Sequence, residues 1–235
     1  MPPSPLLQHT RRVTLQLSNR CNYSAVHARC PVHTFESVEI LPMRIIDNVL
    51  DGLVSLRFAG EICYHVYNEP GIDPRLSRII EKTAAIAGLR PHLWTNGWYL
   101  TEGLARELID YGLQILTVSA YGREEFERLA WVRDLPIQTD LHKARLLESV
   151  MRRAGSPEQW RPCYAPLCDI TVRASGHVGI CCLDYAEEVR LGNLNITPFA
   201  VWLAEEFERL ARLRENLAAR RREIPVCQSC ERRRR

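Results

Sequence analysis

The sequence predicts an α/β protein: a partial, abbreviated parallel β/α barrel followed by a small module built from a β-hairpin and a helix. Three observations carry this. Segments with an apolar period of two alternate with segments of helical period from Val13 to about Thr139. The composition changes at Arg161, where RPCYAPLCDITVRASGHVGICCLDY begins. Finally, most of the nine cysteines fall into a loop pair, a Cys-Cys step and a terminal C-x2-C. The division this implies is a barrel over 1–160 and a second module over 161–235 ending in an arginine-rich tail.

Val13, Leu15 and Leu17 alternate with Thr14, Gln16 and Ser18, which predicts the first strand. It empties into a loop holding Cys21, His27, Cys30 and His33. Parallel α/β folds bind ligands at the carboxyl ends of their strands, so a thiol-rich loop there is a natural cofactor seat. Pro42 opens a helix whose buried face is Ile45, Ile46, Val49, Leu50 and Leu53, with Asp51-Gly52 marking its approaching end. Ile62 to Tyr67 reads as the second strand and runs into Asn68-Glu69-Pro70. There Pro70 excludes further strand.

A helix from about Arg75 to Ala87 ends at Gly88, and a short strand spans Pro91 to Thr95 before the Asn96-Gly97 turn. Thr101 followed by Glu102 starts another helix, with Leu104, Leu108 and Ile109 inward; Gly112 ends it, and Gln114 to Val118 forms the fourth strand. Further on, Glu124 to Trp131 reads as a short helix, Pro136 to Thr139 as a fifth strand and Leu141 to Arg153 as a helix. This late part is short for further full strand-helix units, so the barrel is expected to be abbreviated and open on its late side. In the second module Asp169 to Arg173 and Val178 to Cys182 form a hairpin about Ser175-Gly176. A helix from about Pro198 to Arg222 precedes Cys227-x2-Cys230.

With 46% apolar residues the chain is expected to be globular, and a net charge of +3 argues against a dedicated nucleic-acid protein. No apolar run is long enough to span a bilayer, and MPPSPLLQHTRR lacks the apolar core of a signal peptide, so a cytoplasmic location is expected. In that compartment clustered cysteines favour metal over disulfide. The arginines at 220–222 and 232–235 read as a solvated tail, the alternative being contact with an anionic partner.

Taken together, VTLQLSNRCNYSAVHARCPVH, YNEPGIDPRL, LWTNGWYLTEGLARELIDYGLQILTVSAYG and the hairpin with its C-x2-C resemble the radical S-adenosylmethionine (radical SAM) enzymes that carry a SPASM/twitch-type auxiliary cluster domain. The resemblance implies a [4Fe-4S] cluster in the loop after the first strand, with one iron left free for SAM. The family spacing is C-x3-C-x2-C, whereas here Cys21 and Cys30 are separated by eight residues with no third cysteine nearby. Counting His27 gives C-x5-H-x2-C and counting His33 gives C-x8-C-x2-H; His27 is taken first. Imidazole can replace thiolate on a cluster iron, at the cost of a higher potential.

By the same resemblance Asn68 and Glu69 bind the methionine ammonium, Thr95 and Asn96 sit at the cofactor rim, and Ser119 meets the SAM carboxylate or ribose. Cys163, Cys181, Cys227 and Cys230 are implied ligands of a second [4Fe-4S] cluster, in a cluster-binding module of hairpin plus helix. Cys163 is preferred to Cys168 on family spacing, and Cys181 to Cys182 because strand neighbours point to opposite faces. Four thiolates can also hold zinc. Asp184 reads as structural, with substrate contact as the other option, and His65, Tyr67 and Tyr121 are either substrate-side groups or packing.

The function implied is reductive cleavage of SAM to a 5′-deoxyadenosyl radical. That radical abstracts hydrogen from a small polar metabolite or short peptide in an oxidation or rearrangement, with a flavodoxin or ferredoxin as electron donor. Two other readings stay open: a non-catalytic relative keeping only its auxiliary metal, and a zinc-bearing RNA-binding protein that uses the arginine tail.

Overall fold

Strand β1 (Arg12–Leu15) is buried on both faces, Val13 and Leu15 on one and Thr14 and Gln16 on the other, as a strand in the middle of a covered sheet must be. The computed structural model describes residues 7–25, 27, 30–143, 168–206 and 225–228. After β1 come α1 (Met43–Ser55), β2 (Gly60–Cys63), α2 (Leu76–Ala84), β3 (Leu89–Thr95), α3 (Glu102–Asp110), β4 (Ile115–Ala120), α4 (Arg123–Arg128) and β5 (Gln138–Lys143). The chain beyond residue 167 supplies β6 (Asp169–Val172), β7 (His177–Gly179) and β8 (Arg190–Asn193), a helix α5 over 199–206 and a short α6 (Pro225–Gln228).

The described strands form one sheet in the order β5-β4-β3-β2-β1-β6-β7-β8. From β5 across to β6 every neighbouring pair is parallel, while β6-β7 and β7-β8 are antiparallel. This is the partial β/α barrel: β5 and β8 are left as the two edges, and the hairpin continues the sheet from β1. Residues from both parts, from Val13 and Ile62 to Phe199 and Trp202, share one core. Among the described residues no helix is long and apolar enough to cross a membrane.

Several boundaries differ from expectation for local reasons. β2 stops at Cys63 and not at Tyr67, because the Asn68 side chain curls the chain back: its Oδ1 accepts from the Val66 N–H at 2.9 Å and its Nδ2 donates to the Tyr64 carbonyl at 3.3 Å. α1 runs through Gly52 to Ser55. Gly52 is there for close approach, since a Cβ would lie 2.8 Å from the Phe199 ring of α5. Leu141 belongs to β5, which pairs with β4 from Gln138 opposite Ile115 to Lys143 opposite Ala120, and not to a helix. The rest of the helix expected to Arg153, and that expected beyond 206, lies outside the described residues. β8 was not anticipated. It is held by Trp202, whose Nε1 donates to the Leu191 carbonyl at 2.8 Å across the space that Gly192 leaves.

Candidate active site

The carboxyl ends of β1 to β4 deliver their loops to one place. Thr101 caps α3 by accepting from the Leu104 N–H at 3.1 Å, which fixes where the turn after β3 must end. In that turn Gly97 adopts φ +77°, a conformation open to glycine, and its N–H donates to Thr95 Oγ1 at 3.0 Å. The Asn68-Glu69-Pro70 turn after β2 is tied to the cysteine loop by the Glu69 N–H donating to the Arg20 carbonyl at 2.8 Å.

Glu69 is the centre of this arrangement and is 2% exposed. Its Oε1 accepts from the Gly71 N–H at 2.9 Å and from Thr95 Oγ1 at 2.6 Å, and its Oε2 accepts from the Asn96 N–H at 2.8 Å. A carboxylate offers about four acceptor positions, so Oε2 keeps one free. Burial raises the Glu69 pKa, against the pull of those hydrogen bonds. Among the described residues no cation lies within ion-pair distance of it. A buried carboxylate in this state can accept a further hydrogen bond from a cationic donor.

Cys21, His27, Cys30, Asn68, Glu69, Thr95, Asn96 and Ser119 all line one cavity of about 180 Å³. Cys21 Sγ accepts from the Tyr23 N–H at 3.4 Å and from Asn96 Nδ2 at 3.9 Å. Burial pushes its thiol up to about 11 and also raises that of Cys30. Imidazole His27 is buried, and its Nε2 has no partner. By contrast His33 is exposed and its Nδ1 donates to the Cys30 carbonyl at 2.5 Å. Ser119 Oγ accepts from Trp94 Nε1 at 3.0 Å and meets His142 Nε2 at 2.9 Å. Tyr23 packs on Tyr121 at 5.1 Å and on Trp98 at 6.0 Å between ring centres, an aromatic wall beside the thiols.

Of the substrate-side candidates, His65 stacks on Trp94 at 4.6 Å between ring centres, and its surroundings lower its pKa to about 3, burial first. Tyr67 lines the cavity and donates its hydroxyl to the Cys182 carbonyl. Asp184 is fully buried and its carboxylate accepts from the Glu188 and Val189 N–H groups, both at 2.9 Å, so it shapes the turn.

In the second module Cys181 and Cys227 are near enough to feel one another's charge, and burial pushes the Cys181 thiol up to about 12. Cys182 is exposed. Cys163 and Cys230 lie outside the described residues. Among the described residues no three His, Cys, Asp or Glu side chains are gathered as a single metal ion would require.

Three residues escaped the sequence reading. Asn22 accepts from Asn96 Nδ2 at 2.8 Å and bridges the first and third loops. His142 reaches Ser119 from β5. Arg173 is buried beside Cys181. Only Arg173 left a signal, as a charge at a strand position whose neighbours in parity, Thr171 and Asp169, share its face.

Residues 163–231 match the SPASM family, an iron-sulfur cluster-binding domain. The chain is 23% identical over 233 residues to the S-adenosyl-L-methionine-dependent 2-deoxy-scyllo-inosamine dehydrogenase of Niallia circulans, covering 93% of this chain and 91% of that one. Its fold is similar to that of BtrN in complex with AdoMet and 2-DOIA, with a TM-score of 0.75 and 21% identity over 94% of this chain and 93% of that chain. Native anSMEcpe with bound AdoMet is similar at a TM-score of 0.62 and 11% identity, over 93% of this chain and 87% of that chain.

Proposed function

With the fold of the radical SAM enzymes and a SPASM-type cluster-binding domain as its frame, we propose that this protein cleaves S-adenosylmethionine reductively and dehydrogenates a small polar metabolite. The observation that carries this reading is that eight residues delivered by four strand ends line one cavity around a buried carboxylate.

Cys21, Cys30 and His27 would hold the first [4Fe-4S] cluster; the buried, unpartnered Nε2 of His27 fits a third ligand, and His33, exposed and turned to a carbonyl, does not. Cys181 and Cys227, with Cys163 and Cys230, would hold the second. Bound there, the first cluster would supply the electron needed to break a carbon–sulfur bond of the sulfonium. Glu69 holds the methionine ammonium on its remaining acceptor position, and Gly71, Thr95 and Asn96 keep the carboxylate aimed. Asn96 also steadies the Cys21 loop through Asn22. Tyr23 and Tyr121 exclude water from the reacting atoms. Ser119, fixed by Trp94 and His142, offers a hydroxyl to the nucleoside end.

A small polyhydroxylated substrate is favoured over a peptide because the relative aligned over nearly the whole chain is a dehydrogenase of an inosamine. A cytoplasmic flavodoxin or ferredoxin completes the system as electron donor.

The test is anaerobic loading with iron and sulfide followed by an assay for 5′-deoxyadenosine with dithionite. Wild type is expected to hold about eight irons and to form the nucleoside. Cys21→Ala, Cys30→Ala and His27→Ala should each drop to about four irons and lose it, while His33→Ala keeps both. A wild type that saturates at about four irons and never forms 5′-deoxyadenosine is instead a non-catalytic relative.

A further inference from the structure

Arg173, at the end of β6, is 2% exposed. Its Nη2 donates to the carbonyls of Cys181, at 3.1 Å, and of Asp184; its Nη1 reaches Gln16 Oε1 on the β1 side at 3.5 Å. Nε is buried with no partner. The guanidinium lies over the Tyr67 ring, 5.3 Å from its centre. Among the described residues no carboxylate comes within ion-pair distance of it. Asp184 contributes its carbonyl only, because its carboxylate is occupied by the Glu188 and Val189 N–H groups. A buried guanidinium bonded to neutral oxygens alone is costly to keep unless an anion completes its surroundings.

Two sides of Arg173 could supply that anion. One is a cavity of about 450 Å³, but Glu36, Glu39 and Glu187 line it, which disfavours an anionic occupant. The other is the turn carrying Cys181, whose carbonyl accepts from Arg173 Nη2 at 3.1 Å. Four thiolates around an iron-sulfur cube carry net negative charge, and one electron more when reduced. The same turn is tied to the first site, since the Tyr67 hydroxyl donates to the Cys182 carbonyl and Tyr67 also lines the Glu69 cavity.

We propose that Arg173 is a positioning residue of the auxiliary cluster, holding the Cys181–Asp184 turn through its carbonyls and supplying the buried positive charge that makes that cluster easier to reduce. This rests on the auxiliary cluster assigned above. A cation beside a cluster stabilises its reduced form and raises its potential. Such a cluster is better suited to take one electron from a substrate radical, while the hydroxyl proton leaves and the carbonyl forms.

The test uses the full-length chain carrying Cys21→Ala and Cys30→Ala, so that only the auxiliary site is loaded, with potentials read by electron paramagnetic resonance during redox titration. Arg173→Met is expected to shift the potential to more negative values at unchanged iron content, and Arg173→Lys to restore most of the shift. Arg173→Gln, which keeps hydrogen-bond donors but not the charge, should move it the same way as Arg173→Met. An Arg173→Met chain with full iron and the wild-type potential overturns the proposal. Should that variant fail to hold iron, a fully loaded Arg173→Gln chain at the wild-type potential overturns it equally. If the unsubstituted auxiliary site takes up no iron, the auxiliary-cluster assignment falls, and the role of Arg173 falls with it.

Discussion

The Glu69 carboxylate accepts the Asn96 backbone N–H at 2.8 Å, joining the turn after β2 to the turn after β3 through a group that water does not reach. A second buried charge, Arg173, sits on the other side of Tyr67 without a carboxylate among the described residues. The protein thus holds two buried charges of opposite sign that are kept apart. In the proposed function each has a different partner: an ammonium for Glu69, an anionic cluster for Arg173.

Replacing Glu69 separates its structural share from its binding share. Glu69→Ala leaves the Gly71 and Asn96 N–H groups and the Thr95 hydroxyl without their acceptor, which should cost about 1–3 kcal/mol in urea unfolding. Glu69→Gln keeps the shape but not the charge, and SAM affinity by anaerobic calorimetry should fall about tenfold or more, since a hydrogen bond to a charged group contributes about 1.5–3 kcal/mol. Wild-type affinity in a fully loaded Glu69→Gln chain would remove Glu69 from the SAM site.

Trp202 should be a principal anchor of the second module. It is 3% exposed and bonded to the Leu191 carbonyl, against Gly192, where a Cβ would stand 2.1 Å from the indole nitrogen. Trp202→Ala is expected to lose about 3–5 kcal/mol, and Trp202→Phe about 1–3 kcal/mol for the orphaned carbonyl. Denaturant midpoints of the two variants matching wild type would show that α5 is not held there.

The histidines around Trp94 set a direction for pH dependence. Burial lowers the His65 pKa to about 3 and also lowers that of His92, where the hydrogen bond it donates to Glu61 opposes it. Both depart downward from an unfolded value near 6.5. Below that pH the unfolded chain therefore binds more protons than the folded one, and stability present above pH 6.5 is lost as pH falls toward about 3. Imidazole nitrogen shifts should show His65 neutral at pH 5.5, and His65→Asn should flatten the loss of stability between about pH 6.5 and 4.5. A His65 protonated at pH 6 contradicts this.

The sequence alone determined what is local. Val13, Leu15 and Leu17 announced a strand, Thr101-Glu102 a capped helix, and Asn96-Gly97 a turn, because each depends on neighbours a few residues away. Resemblance placed Glu69 and Asn96 at a shared site before any geometry did. The tertiary structure decided what depends on distant partners. It curled the chain after Cys63 around Asn68, kept Gly52 helical to admit Phe199, and set β6 beside β1. It also distinguished His27 from His33, which spacing could not, by burying one with a free nitrogen and exposing the other. Arg173 belongs with these: an arginine in a strand names no partner, and its uncompensated charge exists only where β1, Tyr67 and the Cys181 turn close around it.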